Sequence, residues 1–123
     1  GFFTLAGINF SQISDCTQSF ADLLGLSTGQ VLGDILDFTP PTFEKDTAWA
    51  HAELSAKNKV TFYEALEFVT GHLIPVKISA AFLPDVGVTV CCAEKVEKLP
   101  FPENGEQPYM KNIGDNLTML KPR

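Results

Sequence analysis

The sequence predicts an α+β domain: a five-stranded antiparallel sheet with short helices and one longer helix gathered on one face. Three observations carry this expectation. The hydrophobic period changes along the chain in the order strand, strand, short helices, longer helix, then three β-segments. Two hairpin signals, Thr70-Gly71 and Pro84-Asp85, divide the last β-rich stretch into a meander. The chain is 123 residues long and 45% hydrophobic, with ten Phe, so a single domain has the material for a real core.

The elements follow in chain order. Phe2, Phe3, Leu5 and Ile8 predict a first strand ending near Gly7, and Ser11 to Cys16 a second, anchored by Ile13. Thr17 is placed to N-cap a helix with apolar positions Phe20, Leu23 and Leu24, and Gly25 is its stop signal. Ser27 and Gln30 have capping-box spacing for a short helix through Leu32, ended by Gly33. Asp34 caps a further turn containing Ile35, Leu36 and Phe38. After Pro40-Pro41, Thr42 opens a longer helix to about Lys57, with Glu44 and Asp46 favourably placed in its first turn. At 100° per residue, Phe43, Thr47, Ala50 and Leu54 form one narrow stripe, with His51 on its shoulder and Trp49 on the far side. A large ring facing away from the core calls for a partner.

Residues 60–69, 72–83 and 86–96 are the meander. A three-residue loop ending in Gly71 pairs Phe62 with Ile78 and Leu66 with Ile74. That register puts Val60, Phe62, Leu66 and Phe68 on one face with Ile74, Val76, Ile78, Ala80 and Phe82, continued by Val86, Val88, Val90 and Cys92 on the last strand. The opposite face then carries Tyr63, Ala65, Glu67, Lys77, Ser79, Ala81, Thr89, Cys91 and Ala93, side chains small enough to be covered by something else. Beyond Leu99, Pro100, Pro102, Gly105, Pro108, Gly114 and Pro122 argue against a long helix or strand. Residues 1–98 are therefore the domain and residues 99–123 a Pro/Gly-rich linker or wrapping tail.

Composition excludes several function classes. Nine Lys and Arg stand against fifteen Asp and Glu, a net charge of −6, and residues 1–44 hold five acids and no base. The Lys/Arg stripe that neutralises phosphate is missing, so neither nucleic acid nor an anionic membrane surface is an expected partner. No apolar run approaches the ~20 residues of a membrane helix. Cys16, Cys91 and Cys92 are an odd count with two adjacent, the pattern of small buried thiols in a reducing cytoplasm rather than of a secreted scaffold. The chain opens at Gly1 without Met or a signal segment, as expected of an excised or processed piece. Zinc-protease, nucleophile-elbow and Walker motifs are all missing from the sequence, so the expected protein is not an enzyme.

The run Ile13-Ser-Asp-Cys-Thr-Gln-Ser-Phe-Ala-Asp-Leu-Leu-Gly25, followed by Leu-Ser-Thr-Gly-Gln-Val-Leu-Gly33, resembles the first half of a PAS domain. Thr17 stands where that family often has Asn, and Ser19 where it has Ala. The segment Glu67 to Ser79 is similar to the family's hairpin before its penultimate strand, shortened and without the common Lys-Asp-Gly. The resemblance covers about residues 2–97. It implies a sensory or interaction module whose curved five-stranded sheet cups a ligand or pairs with another domain, then passes a conformational change to an attached or associated output domain. Pro100 and Pro102 interrupt the heptad helix that often follows such a domain. The family's flavin photoreceptors need an Asn-Cys-Arg-Phe run in the helical region, which this chain lacks, since Cys16 precedes its helices. Its haem sensors need a His early in the long helix, a position that falls near Lys45, with His51 about two turns later. Covalent flavin and haem are both disfavoured, and the identity of any cofactor stays open.

The expected ligand pocket is Phe43, Ala50, His51, Leu54, Phe62, Glu64, Leu66, Val76 and Ile78. The expected interface, serving a partner protein or a homodimer, is Tyr63, Ala81, Thr89, Cys91 and Ala93 on the outer sheet face, with Phe2 and Phe3. Glu64 is the unusual member. In the register above it projects inward opposite Val76 and needs a partner there: Lys57, Lys59, His51 or a bound polar ligand. A one-residue slip would instead put it in solvent beside Lys77. The competing class is a ligand-free interaction or dimerisation module with a filled interior.

Overall fold

The computed structural model describes residues 1–8, 12–40 and 43–97. Strand β1 spans Phe2–Ala6 and β2 Gln12–Cys16; helices α1 (Gln18–Leu24) and α2 (Thr28–Val31) follow. A two-residue strand, β3 (Gly33–Asp34), and a 3-10 turn over Ile35–Phe38 lead to the long helix α3 (Glu44–Lys57). Strands β4 (Lys59–Glu67), β5 (Leu73–Leu83) and β6 (Val88–Lys95) complete one sheet in the order β3-β2-β1-β6-β5-β4. Every neighbouring pair is antiparallel, and β1 joins the N-terminal strands to the C-terminal meander by pairing with β6.

The sheet therefore has six strands where the sequence predicts five. The extra one is short and has a local cause. Leu32 leaves α2 in an extended conformation (φ −62°, ψ 135°), and Gly33 takes φ 134°, which lays Gly33 and Asp34 against Ile13 and Gln12. Gly33 thus begins a strand instead of simply ending a helix.

The helix ends form as their sequences dictate. The Thr17 hydroxyl accepts from Phe20 N at 3.4 Å and from Phe2 N at 3.0 Å, so a single side chain caps α1 and ties it to β1. Ser27 and Gln30 make the full capping box. Gly25 ends α1 at φ 75°, and a Cβ there would meet the Phe68 ring at 2.5 Å. This close approach seats the β4–β5 turn on α1, where Val69 N donates to Leu24 O at 2.8 Å. Helix α3 presents Asp46, Thr47, Ala50 and Leu54 inward and ends on Asn58 in the left-handed conformation. Its predicted opener, Thr42, lies outside the described residues, as do Lys98 and the whole predicted tail over 99–123. The residue before the helix, Phe43, is fully buried.

The β4–β5 hairpin adopts the predicted register, Phe62 opposite Ile78 and Leu66 opposite Ile74. The faces of β6 are the reverse of the prediction. A four-residue turn over 84–87 pairs Leu83 with Val88, so Ile78 faces Ala93, Ala80 faces Cys91 and Phe82 faces Thr89. Thr89, Cys91 and Ala93 consequently lie buried beneath the helices, while Val90 and Cys92 sit half-buried on the outer face. The cause is the sequence of β6 itself: an almost unbroken run of small apolar residues has no alternation to mark which face is which. The core fills the space between the inner sheet face and the helices and includes Phe3, Phe20, Leu24, Leu54, Phe62, Leu66 and Ile78.

Candidate functional site

Two regions bear functional chemistry, one inside the sheet and one outside it. Inside, α3 with β4 and β5 brings together the expected pocket residues. Phe43, Ala50, Leu54, Phe62, Leu66, Val76 and Ile78 are all fully buried, and His51 is half-buried at the margin. Glu64 is buried as well, opposite Val76, so the inward alternative holds.

None of the three expected cationic partners reaches Glu64. Lys57 pairs with Glu53 at 3.2 Å, Lys59 is exposed, and the contact to the carboxylate comes from Thr47 of α3 instead. Thr47 Oγ1 lies 3.2 Å from Glu64 Oε2 and 3.1 Å from the Phe43 carbonyl oxygen. A hydroxyl has one proton, and both of these atoms are acceptors when Glu64 is ionised. An ionised Glu64 takes that proton from Thr47 and leaves the Phe43 carbonyl without it, whereas a protonated carboxyl donates to Thr47 and lets Thr47 donate to Phe43. The electrostatics agree. Burial pushes the Glu64 carboxyl up to about 8, the Thr47 hydrogen bond pulls against that shift, and the nearby Asp46 carboxylate adds to it. Glu64 Oε1 has no hydrogen-bond partner among the described residues. A buried polar atom without a partner costs about 1–3 kcal/mol.

Cys91, on β6, shares this electrostatic environment. Its thiol is held firmly protonated, first by burial and then by the charges of Glu64 and Cys92. The interior thus contains a neutral acid, a hydroxyl and a neutral thiol set among aliphatic and aromatic walls. It can donate and accept hydrogen bonds without presenting a thiolate nucleophile.

Outside, the sheet and α3 bound an open concavity of about 830 Å3. Three of the expected interface residues line it: Phe2, which is 53% exposed, Tyr63 and Ala81. The other four do not. Thr89, Cys91 and Ala93 are turned inward by the β6 register, and Phe3 is buried with its ring stacked on Phe20 at 4.4 Å between centroids. Their places are taken by Val90, Cys92 and Ser79 from the outer face and by Trp49, Glu53 and Lys57 from α3. Trp49, the outward ring singled out in the sequence, finds its environment here. His72 is exposed at the β4–β5 turn, where its Nδ1 meets Thr70 Oγ1 at 2.6 Å and its ring stacks on Phe68.

Comparison with known proteins places this geometry. No family model matches the chain, and no curated protein is similar to it in sequence to a significant degree. Solved structures do share its architecture. A domain of a sensory box sensor histidine kinase/response regulator from Geobacter sulfurreducens is 17% identical, with a TM-score of 0.64 over 76% of this chain and 80% of that one. The PAS domain of a LuxR-family transcriptional regulator from Burkholderia thailandensis, solved in complex with ethanol, is 15% identical, with a TM-score of 0.64 over 78% of this chain and 88% of that one. A light-oxygen-voltage domain studied with a flavin analogue is 21% identical, with a TM-score of 0.65 over 78% and 76%. The fold is the PAS fold.

Within that fold the three cysteines all lie on strands, so no thiol is carried by α1, α2 or α3. No cluster of three or more His, Cys, Asp or Glu side chains suited to a metal ion forms among them, and no helix there is long and apolar enough to cross a membrane.

Proposed function

We propose that this chain is a cytoplasmic, non-enzymatic PAS-type sensory or regulatory module. Its interior between α3 and the sheet takes a small ligand, and the resulting population shift is passed to an attached or associated output protein. The observation that carries the reading is Glu64: a fully buried carboxyl whose Oε1 is unpartnered and whose other oxygen is held by Thr47. An apolar pocket with one or two convergent polar groups is the usual form of a small-molecule site. The proposed ligand is a small, largely apolar molecule with a hydrogen-bonding group that meets the Glu64 carboxyl. The likeness to sensor-kinase and regulator domains supports the same class of function.

The test is direct. The purified 123-residue protein is denatured, and the released fraction is analysed by mass spectrometry and absorbance. A stoichiometric small molecule, retained less well by Glu64→Leu at matched folding, is the expected result. A wild-type preparation that releases nothing, and whose Tm no small neutral compound raises, overturns the ligand-binding reading. The open outer concavity favours a second reading, a ligand-free interaction module, which predicts that empty preparation together with a retained protein partner.

A further inference from the structure

We propose that the outer concavity docks an acidic, aromatic-bearing peptide segment of a partner protein, with Lys59 and Lys77 receiving its carboxylates. The inference deepens the interaction side of the reading above and does not require an interior ligand. Its basis is where the positive charge lies. The chain carries a net charge of −6, and the described residues include five lysines and no arginine. Three of those five, Lys57, Lys59 and Lys77, line this one concavity. Lys57 is already paired with Glu53 at 3.2 Å, and the groove retains two net positive charges. Neither Lys59 nor Lys77 forms an ion pair among the described residues; Glu94, across the strands from Lys77, lies outside the lining.

The floor between these charges is apolar and aromatic, provided by Phe2, Trp49 and Tyr63 with small strand residues. Such a surface favours apolar side chains at the centre and carboxylates at the rim, the arrangement in which charge sets specificity and packing sets affinity. Among the described residues, three of the five lysines meet in this concavity, so an acidic segment is attracted here more than to the surrounding acidic surface. A second copy of the same face fits poorly, because pairing it with itself opposes two lysine-rich surfaces. A free small molecule also fits poorly, because small-ligand sites enclose about 70–90% of their ligand and this trough is open.

Trp49, the protein's single tryptophan, makes the proposal readable in solution. The full chain is titrated with a twelve-residue peptide in which Glu and Asp alternate with Phe and Leu, and with its charge-inverted counterpart carrying Lys at each acid. The expected result is a saturable change in Trp49 emission with the acidic peptide, and binding at least about tenfold weaker both for the inverted peptide and for the Lys59→Glu/Lys77→Glu variant. Lys95→Glu makes the same kind of substitution, with half the charge change, outside the lining and is expected to alter affinity less than roughly twofold. Lys59→Gln/Lys77→Gln, checked by circular dichroism, separates loss of attraction from misfolding. Four results overturn the proposal: equal binding of both peptides, no saturable change, indifference to the lysine substitutions, or a light-scattering dimer in which Trp49 is already covered. None of these outcomes bears on whether a small molecule is released from the interior.

Discussion

Glu64 gives this domain a pH dependence of unusual sign. An ordinary glutamate titrates near 4.5, while burial raises this one to about 8 in the folded protein. Between those values the folded state keeps a proton that the unfolded chain has lost. The contribution of Glu64 to stability is therefore greatest below about pH 4.5 and falls by up to about 1.4 kcal/mol per pH unit, levelling off above about pH 8. Glu64→Gln keeps the size and the donor to Thr47 without the titration. Urea midpoints measured from pH 5.5 to 8.5 should show wild type losing stability relative to Glu64→Gln as pH rises, and a constant difference would refute a buried neutral acid. Thr47→Val removes the one hydrogen bond that lowers the Glu64 value. It should cost about 1–2 kcal/mol and move the upper end of that pH window to higher pH. A downward move would mean that Thr47 serves the protonated carboxyl more than the ionised one.

Among the elements, α1 and the β4–β5 turn are locked together at Gly25. The residue needs both its left-handed backbone and its lack of a Cβ, since the Phe68 ring occupies the space where one would stand. Gly25→Ala should therefore cost more than the roughly 1 kcal/mol of a strained φ alone, about 2–4 kcal/mol, by thermal or urea unfolding. A loss under 1 kcal/mol would show that Phe68 rotates away freely. This lock also explains which parts of the fold were legible in advance. Capping residues and glycines act through their immediate neighbours, so Thr17, Gly25 and the Ser27–Gln30 box announce themselves in sequence. The β4–β5 register was legible for the same reason, because a short loop at Gly71 fixes it and charged residues break the apolar run of β4. Strand β6 carries no such break, and the longer turn over 84–87 decides its faces, so Thr89, Cys91 and Ala93 were misassigned. At the site, Glu64 could be placed inside from register, but Thr47 could be identified as its partner only once α3 was docked. The lysine-lined groove was illegible because it joins α3 to four strands that only the completed sheet brings together.

At the scale of the whole molecule, β1 decides whether the domain is one cooperative unit. It lies between β2 and β6 and, among the described residues, is the only link in the sheet between the N-terminal strands and the meander. The chain end is woven into it: the Gly1 ammonium donates to Ala93 O at 2.9 Å, and Ala93 N donates to Gly1 O at 2.8 Å. Phe3, the second residue of β1, is buried and stacked on Phe20 of α1, so it joins sheet and helix layers as well as the two sides of the sheet. Phe3→Ala should cost about 3–5 kcal/mol, a large share of the 5–15 kcal/mol that holds a typical domain together. If the molecule is a single unit, that loss reaches every element equally. Trp49 fluorescence, which reports on α3, and far-ultraviolet circular dichroism, which reports on all elements, should then shift together and give one midpoint. If Phe3→Ala lowers the circular-dichroism midpoint and leaves that of Trp49 in place, β4–β6 with α3 fold independently of β1. A signal arising between α3 and the meander would then have no route through β1 to the N-terminal strands. Coincident midpoints are the expected result, because β6 is hydrogen-bonded along one edge to β1 and along the other to β5, leaving no seam at which the sheet could part without exposing an unpaired central strand.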